Sequence, residues 1–372
     1  MSRDTLAEVT DNPEKEVPIL HALRRTRDSD GELSDEREAV YRTVDIDRWG
    51  KIQAAYDAAD RLEEQINRSM STDAVQISVT TDTDGHHEKN IIQADYVAKR
   101  ERQEGNNKQV QTTDSDAQFK TLQENTPSEV MGEFESSSVS YNQSFDVEFN
   151  KIEKSTDPLK STESNTYYDY EYRPLVGGAC FGDSEDGYCT LGATVTDDST
   201  DEQMMVTAGH CLEDSENSYQ PHDKDKKIGG PDPSRVVDEY GFDAGVIDTS
   251  GVEHKSDLAS DGGEDSYKGY NIVGTLMEDT LKDYEDRGTS IEKQGGTTGT
   301  VEGPVTHVGE NTDYLQIHAD RDGGDSGGPY FEYVGHIDIL LAGIHRGPGE
   351  TDGHSEGTKM HAIEDRFEVS AY

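Results

Sequence analysis

Apolar residues follow different periods in the two parts of the chain. Between Ser34 and Met70 they recur at threes and fours: Ala39, Val40, Val44, Ile46, Trp49, Ile52, Ala55, Tyr56, Ala59, Leu62 and Ile66. That spacing predicts one helix over 34–70, with Ser34 where an N-cap would stand. Val75 to Thr81 alternates like a strand and runs into Asp84-Gly85, a turn signal, so Ile91 to Val97 is its expected hairpin partner. From Glu101 to Tyr170 the chain is rich in Gln, Ser, Asn and Thr with little periodicity. It reads as a polar linker or a loosely ordered segment.

After Pro174 short apolar runs alternate with Gly- and Asp-rich turns: CTLGATV, QMMVTAGHC, RVVDEYG, AGVID, YNIVGTL, TSIEKQ, GTVEGPVTHV, YLQIH, PYFEYVG and IDILLAGIH. No helical stretch is expected before the closing HAIEDRFEVS. About ten short strands at this spacing predict an all-β barrel or sandwich. The chain therefore divides into 1–100, a helical and hairpin N-terminal region, 101–172, a polar linker, and 173–372, an all-β domain.

Charge narrows the function. Asp and Glu number 79 against 34 Lys and Arg, a formal net charge of -45. Nucleic acid and anionic membrane surfaces would repel such a chain. Hydrophobic residues make up only 31%, which leaves widespread disorder or a fold adapted to high salt. The acids run through strand-like segments as well as turns. This favours the second reading, since at about 1 M salt screening acts over roughly 3 Å. No run of apolar residues is long enough to cross a membrane as a helix. The N-terminus shows no apolar signal-peptide core, and acidic DSDGELSDE follows Arg24-Arg25 where a twin-arginine leader would be hydrophobic.

Candidate chemistry centres on GGDSGGPY, Gly323 to Tyr330. A nucleophilic serine needs a base, the base needs an orienting group, and the oxyanion needs backbone donors. Gly324 and Gly327 allow a tight turn at Ser326, so the N–H groups of Gly324 and Ser326 can converge on one point. Asp325 would anchor that turn from behind. The base candidate is His210 in VTAGHC, beside small Ala208 and Gly209. Asp243, where a loop enters the apolar run AGVID, is the orienting carboxylate, with Asp238 and Asp248 as alternatives.

VTAGHC and GDSGGP, in the order His, Asp, Ser, resemble the chymotrypsin-like serine proteases, whose chain order is a standard template. The streptogrisin-like bacterial branch is the more similar one. Leu175-Val176-Gly177-Gly178 resembles its mature N-terminus, Cys189-Thr190-Leu191-Gly192-Ala193-Thr194-Val195 its first strand, and Gln294-Gly295-Gly296-Thr297-Thr298-Gly299-Thr300-Val301 its Gly-Thr-Thr-Gly hairpin. The resemblance covers about 175–372. It implies two six-stranded antiparallel β-barrels, preceded here by an α+β, partly disordered N-terminal region. It also implies a serine endopeptidase acting on polypeptides through an acyl-enzyme without a cofactor. His210, Asp243 and Ser326 would form the triad, and Gly324 and Ser326 the oxyanion hole.

A Cys189–Cys211 disulfide is implied as well, with Cys180 free or replacing Cys189 in the bridge. Such a bridge belongs to an oxidising, extracellular setting. Asp320, six residues before Ser326, would select a basic P1 residue, whereas His345 and Arg346 would favour an acidic one. Residues 1–174 would be a pro-region that inhibits or chaperones the protease, removed by cleavage near Leu175. The amine so released would pair with Asp325 if it were used as in trypsin. Two other readings are a non-catalytic binding protein with a protease fold, and an intracellular protease whose N-terminal part is a permanent partner-binding domain. There is no HExxH and no Cys pair at zinc spacing, so no metal is expected, and His86-His87-Glu88 reads as a solvated turn.

Overall fold

The computed structural model describes residues 10, 12, 14–69, 75–82, 89–98, 113–135, 139–153, 166–182, 188–213, 215–222, 226–239, 241–263, 266–309, 312–348 and 354–371. The turn at Asp84-Gly85 and the His86-His87-Glu88 stretch lie outside them. The chain forms two compact units. One comprises Met1–Pro18, Thr43–Asp157 and His307–Thr312, and the other Ile19–Arg42, Pro158–Thr306 and Asp313–Tyr372.

In the first unit helix α1 runs from Ile46 to Ser69. It begins 12 residues later than the apolar spacing predicts, because Leu33–Asp45 is a strand. Val40, Tyr41, Thr43 and Val44 are β-branched or aromatic and suit a pleated surface. The N-cap is Asp45, not Ser34: its carboxylate accepts the Arg48 N–H at 2.9 Å. Strands Val75–Asp82 and Lys89–Ala98 pair as the expected hairpin, from Val75 opposite Tyr96 onwards.

The polar region continues this unit instead of linking two others. It contains helix α2, Thr113–Asn125, and the antiparallel strands Glu129–Glu135 and Ser140–Glu153, the latter parallel to Lys89–Ala98. A few apolar groups suffice, since Leu122, Val130, Phe145 and Val147 are all buried. The polar residues between them hid the alternation. Gly132 is required by packing, because a Cβ there would fall 1.8 Å from the Ala54 carbonyl oxygen of α1.

The second unit is built mainly of β strands. Strands Ser290–Gly295, Gly299–Gly309, Tyr314–Ile317, Ser355–Lys359, Asp338–Pro348 and Pro329–Tyr333 pair in that order and return to the first, closing a six-stranded antiparallel barrel. The other half is an open eight-stranded sheet that forms a half-barrel, where a second closed barrel is expected. Its two ends, Val369–Ala371 and Tyr188–Thr190, do not pair with each other. Ala193, Val206, Phe242, Val246, Ile344, Met360 and Phe367 share one apolar core, and Tyr172, Val176, Leu191, Met205 and Ile247 another.

Two additions to this unit escape the apolar pattern. Helix α3, Glu278–Arg287, buries only Leu281 and Tyr284 as apolar groups, and Gly288 at φ 58° caps it. Tyr167 to Tyr172, expected in the linker, pack here: the Tyr167 N–H donates to the Gly296 carbonyl at 2.7 Å, and the Tyr172 N–H to Gln220 Oε1 at 3.1 Å. The closing helix α4, Met360–Phe367, stands where HAIEDRF predicts it.

Residues 19–42 also belong to this unit. Ala22, Leu23 and Arg24 pair antiparallel with Leu276, Thr275 and Gly274 of strand Asn271–Leu276. Arg27 binds Asp338 at 2.7 Å, Arg37 binds Glu364 at 3.0 Å, and Arg42 binds Asp283 while lying over the Tyr284 ring. Among the described residues no helix is long and apolar enough to cross a membrane.

Candidate active site

Strand Gln203–Thr207 ends in a single 3-10 turn, Gly209–Cys211, that presents His210. Only glycine fits before it, since a Cβ at Gly209 would sit 2.0 Å from the Val237 carbonyl oxygen. Cys211 is bridged to Cys189, as the resemblance implies, and Cys180 is a buried free thiol. Closing a loop of this size stabilises by about 3 kcal/mol.

Asp243 enters strand Phe242–Asp248 fully buried. Its Oδ2 lies 2.6 Å from His210 Nδ1, and its Oδ1 accepts the His210 backbone N–H at 3.0 Å. Two bonds to one carboxylate fix both the ring and the turn that carries it. Thr358 Oγ1 accepts the Asp243 N–H at 2.9 Å and donates to the Asp243 carbonyl at 3.1 Å. The two alternative carboxylates do other things. Asp248 is exposed and caps a turn at Ser250, and Asp238 faces Arg346 at 3.7 Å.

Burial pushes His210 towards its neutral form. The Asp243 charge and hydrogen bond, helped by Asp238, outweigh that, and Arg346 opposes them, so the imidazole titrates above its ordinary 6.5. Burial would raise Asp243, but His210 and then Arg346 bring it below the usual carboxylate range.

The GGDSGG loop is held from behind. Asp325 accepts from Lys293 Nζ at 2.7 Å, Thr298 Oγ1 at 2.7 Å, and the N–H groups of Thr297, Thr298 and Asp322 at 2.9, 3.0 and 3.1 Å. Lys293 thus fills the place expected for a released amine. Gly327, at φ 91°, has no room for a Cβ, which would lie 2.0 Å from Thr207 Oγ1. Its N–H donates to the His345 carbonyl at 2.7 Å. By contrast, the N–H groups of Gly324 and Ser326 find no acceptor among the described residues, although both residues are buried. Unpaired amides in buried residues are uncommon, and two in one loop are donors of the kind an oxyanion would need.

Ser326 Oγ donates to the Arg346 carbonyl at 3.0 Å and not to His210. His210 and Ser326 still flank one sulfur: Cys211 Sγ is 3.7 Å from His210 Nε2 and 3.8 Å from the Ser326 carbonyl oxygen. Cys189, His210 and Cys211 also form the close His/Cys group among the described residues, but the disulfide removes both thiolates as metal ligands.

The pocket candidates separate. Asp320 is exposed. His345 is buried with Nδ1 2.8 Å from the Tyr330 hydroxyl, and burial, with Lys293 and His210 nearby, holds it well below 6.5 and neutral. Arg346, expected in the substrate pocket, turns instead to carboxylates: Glu356 at 2.9 Å, Asp243 at 3.5 Å and Asp238 at 3.7 Å. Neither residue therefore offers an uncommitted positive charge to an acidic P1 side chain. Lys293 and Thr358 were not foreseen. Lys293 alternates with Ile291 and Gly295 in TSIEKQG, and a lysine on the inward face of a strand signals a buried partner.

No protein-family model matches the chain, and no curated protein matches it. Solved structures that resemble it include a glutamic-acid-specific serine protease that uses a histidine triad in substrate binding, at 21% identity and TM-score 0.40, covering 53% of this chain and 100% of that one. An alpha-lytic protease homolog, N4, matches at 18% identity and TM-score 0.39, over 54% of this chain and 100% of its own. Protease Anisep from Arthrobacter nicotinovorans matches at 14% and 0.31, over 55% and 100%.

Proposed function

We propose that this chain is a serine endopeptidase of the chymotrypsin fold, with His210, Asp243 and Ser326 as its triad. The observation that carries this reading is the His210–Asp243 pair at 2.6 Å, set beside a serine loop with two unpaired amides. A peptide entering the cleft would donate its N–H to the Arg346 carbonyl and release the Ser326 hydroxyl towards His210 Nε2. His210 then takes the proton as Ser326 Oγ attacks the peptide carbonyl. Asp243 holds the imidazole tautomer and stabilises the cation that forms. The Gly324 and Ser326 N–H groups bind the oxyanion. His210 gives its proton to the leaving amine, and water hydrolyses the acyl-enzyme by the reverse path.

In this reading residues 1–172 regulate or chaperone the protease, and the acidic surface suits high salt. Cleavage at Pro174–Leu175 is disfavoured, because Leu175 is buried and its N–H donates to the Glu253 carbonyl at 2.7 Å. The test is active-site titration with a chromogenic peptide ester in multimolar salt. A burst equal to the enzyme concentration, with an acyl adduct on the Ser326 peptide, supports the reading. Absence of burst and adduct refutes it. The Ser326 hydroxyl turned onto Arg346 favours a second reading, a non-catalytic protein of protease fold.

A further inference from the structure

Arg346 touches both ends of the triad. Its carbonyl accepts the Ser326 hydroxyl at 3.0 Å, and its Nε lies 3.5 Å from Asp243 Oδ2, the oxygen that binds His210. We propose that Arg346 is a positioning residue, which sets Asp243 against His210 through its guanidinium and parks the resting Ser326 hydroxyl on its carbonyl. The proposal rests on the triad reading above.

The argument is one of charge in a confined place. Three carboxylates converge there from different strands: Asp238 from Lys227–Glu239, Asp243 from Phe242–Asp248 and Glu356 from Ser355–Lys359. Asp243 is fully buried and Glu356 nearly so. Arg346, itself 9% exposed, spans all three, with one arm on Glu356 at 2.9 Å, the other on Asp238 at 3.7 Å and Nε on Asp243. Its planar fork suits this task, which a point charge cannot copy. The groups that face His210 are then Asp243, Asp238 and Arg346, with neutral His345 beside them. Without the guanidinium, like-charged carboxylates would repel one another and would draw His210 towards its cation. Asp243 would lose a partner on the oxygen that orients the imidazole. A purely structural arginine would hold the strands and leave the titration of His210 alone.

The test compares wild type with Arg346→Met and Arg346→Lys in multimolar salt. It measures kcat and the pH profile of kcat/KM, together with the His210 titration followed by NMR, which needs no turnover. Arg346→Met should lower kcat about tenfold or more and move both the acid limb and the NMR midpoint to higher pH. Arg346→Lys should restore the midpoint but only part of kcat. If Arg346→Met does not fold, Arg346→Lys and Glu356→Gln decide, the latter moving the midpoint to lower pH. A folded Arg346→Met with wild-type kcat and midpoint overturns the inference, as does an unmoved midpoint in Glu356→Gln. If wild type itself shows no Ser326-dependent turnover, the triad reading has failed and the inference falls with it. Turnover in wild type with unaltered Arg346 variants defeats the inference alone.

Discussion

Lys293 Nζ lies 2.7 Å from Asp325 Oδ2, and both side chains are wholly buried. The pair places a fixed cation behind the serine loop, so the loop's geometry does not depend on an amine released by cleavage. Removing one partner of a buried pair leaves an uncompensated charge, at a typical cost of about 3–5 kcal/mol. Lys293→Met is expected to lose stability of that order. Asp325→Asn should lose less, because its amide keeps some of the bonds. Denaturant unfolding in high salt measures both, and a Lys293→Met protein as stable as wild type would refute the buried charge pair.

The His210–Asp243 pair has a pH signature. The proposed mechanism needs neutral His210, whose protonation is favoured above its ordinary 6.5 by Asp243. The acid limb of kcat/KM is expected above pH 6.5. The same shift adds stability that is full below the unfolded value and is lost as pH rises through the folded one. Asp243→Asn should move the limb to lower pH and reduce kcat by roughly 10⁴. A limb at or below 6.5 in wild type contradicts this assignment.

Thr358 bonds both the N–H and the carbonyl of Asp243. Thr358→Val keeps the shape and leaves a buried N–H unpaired, which costs about 1–3 kcal/mol. The expected result is a lower unfolding midpoint with a reduced kcat. Thr358→Ser should recover most of both, and equal losses in Val and Ser variants would contradict the hydrogen-bond account.

Residues 19–42 are part of the second unit. Ala22 is fully buried where it pairs with Leu276. Ala22→Asp should destabilise that unit by about 2–3 kcal/mol through an unpaired buried charge. Proteolytic susceptibility of 175–372 in high salt reads the effect. Unchanged susceptibility would mean the strand does not contribute there.

What the sequence disclosed depends on how local the signal is. His210, Asp243 and Ser326 sit in short motifs whose neighbours, Gly209 and Gly327, are dictated by close backbone approach, so they stand out as candidates from a few residues. The β strands of 175–372 were visible because apolar runs and Gly-rich turns alternate. Leu33–Asp45 misled because Val40 and Val44 satisfy a helical spacing as well as a strand. The strands at 129–153 hid because polar residues outnumber the few that they bury. Lys293 and Thr358 were missed, and Arg346 was assigned to the substrate pocket, for another reason. Their meaning lies in partners such as Asp325, Asp243 and Glu356 that meet them only once the barrel closes.

The most direct test of the central claim is labelling of the full chain with a fluorophosphonate in multimolar salt, beside Ser326→Ala, with the adduct located by mass. The account predicts an adduct on Ser326 that is lost in the variant and that forms in the intact chain, because Lys293 already holds the serine loop. No adduct in the intact chain or after limited proteolysis would contradict it, and would leave a protease fold without a working nucleophile.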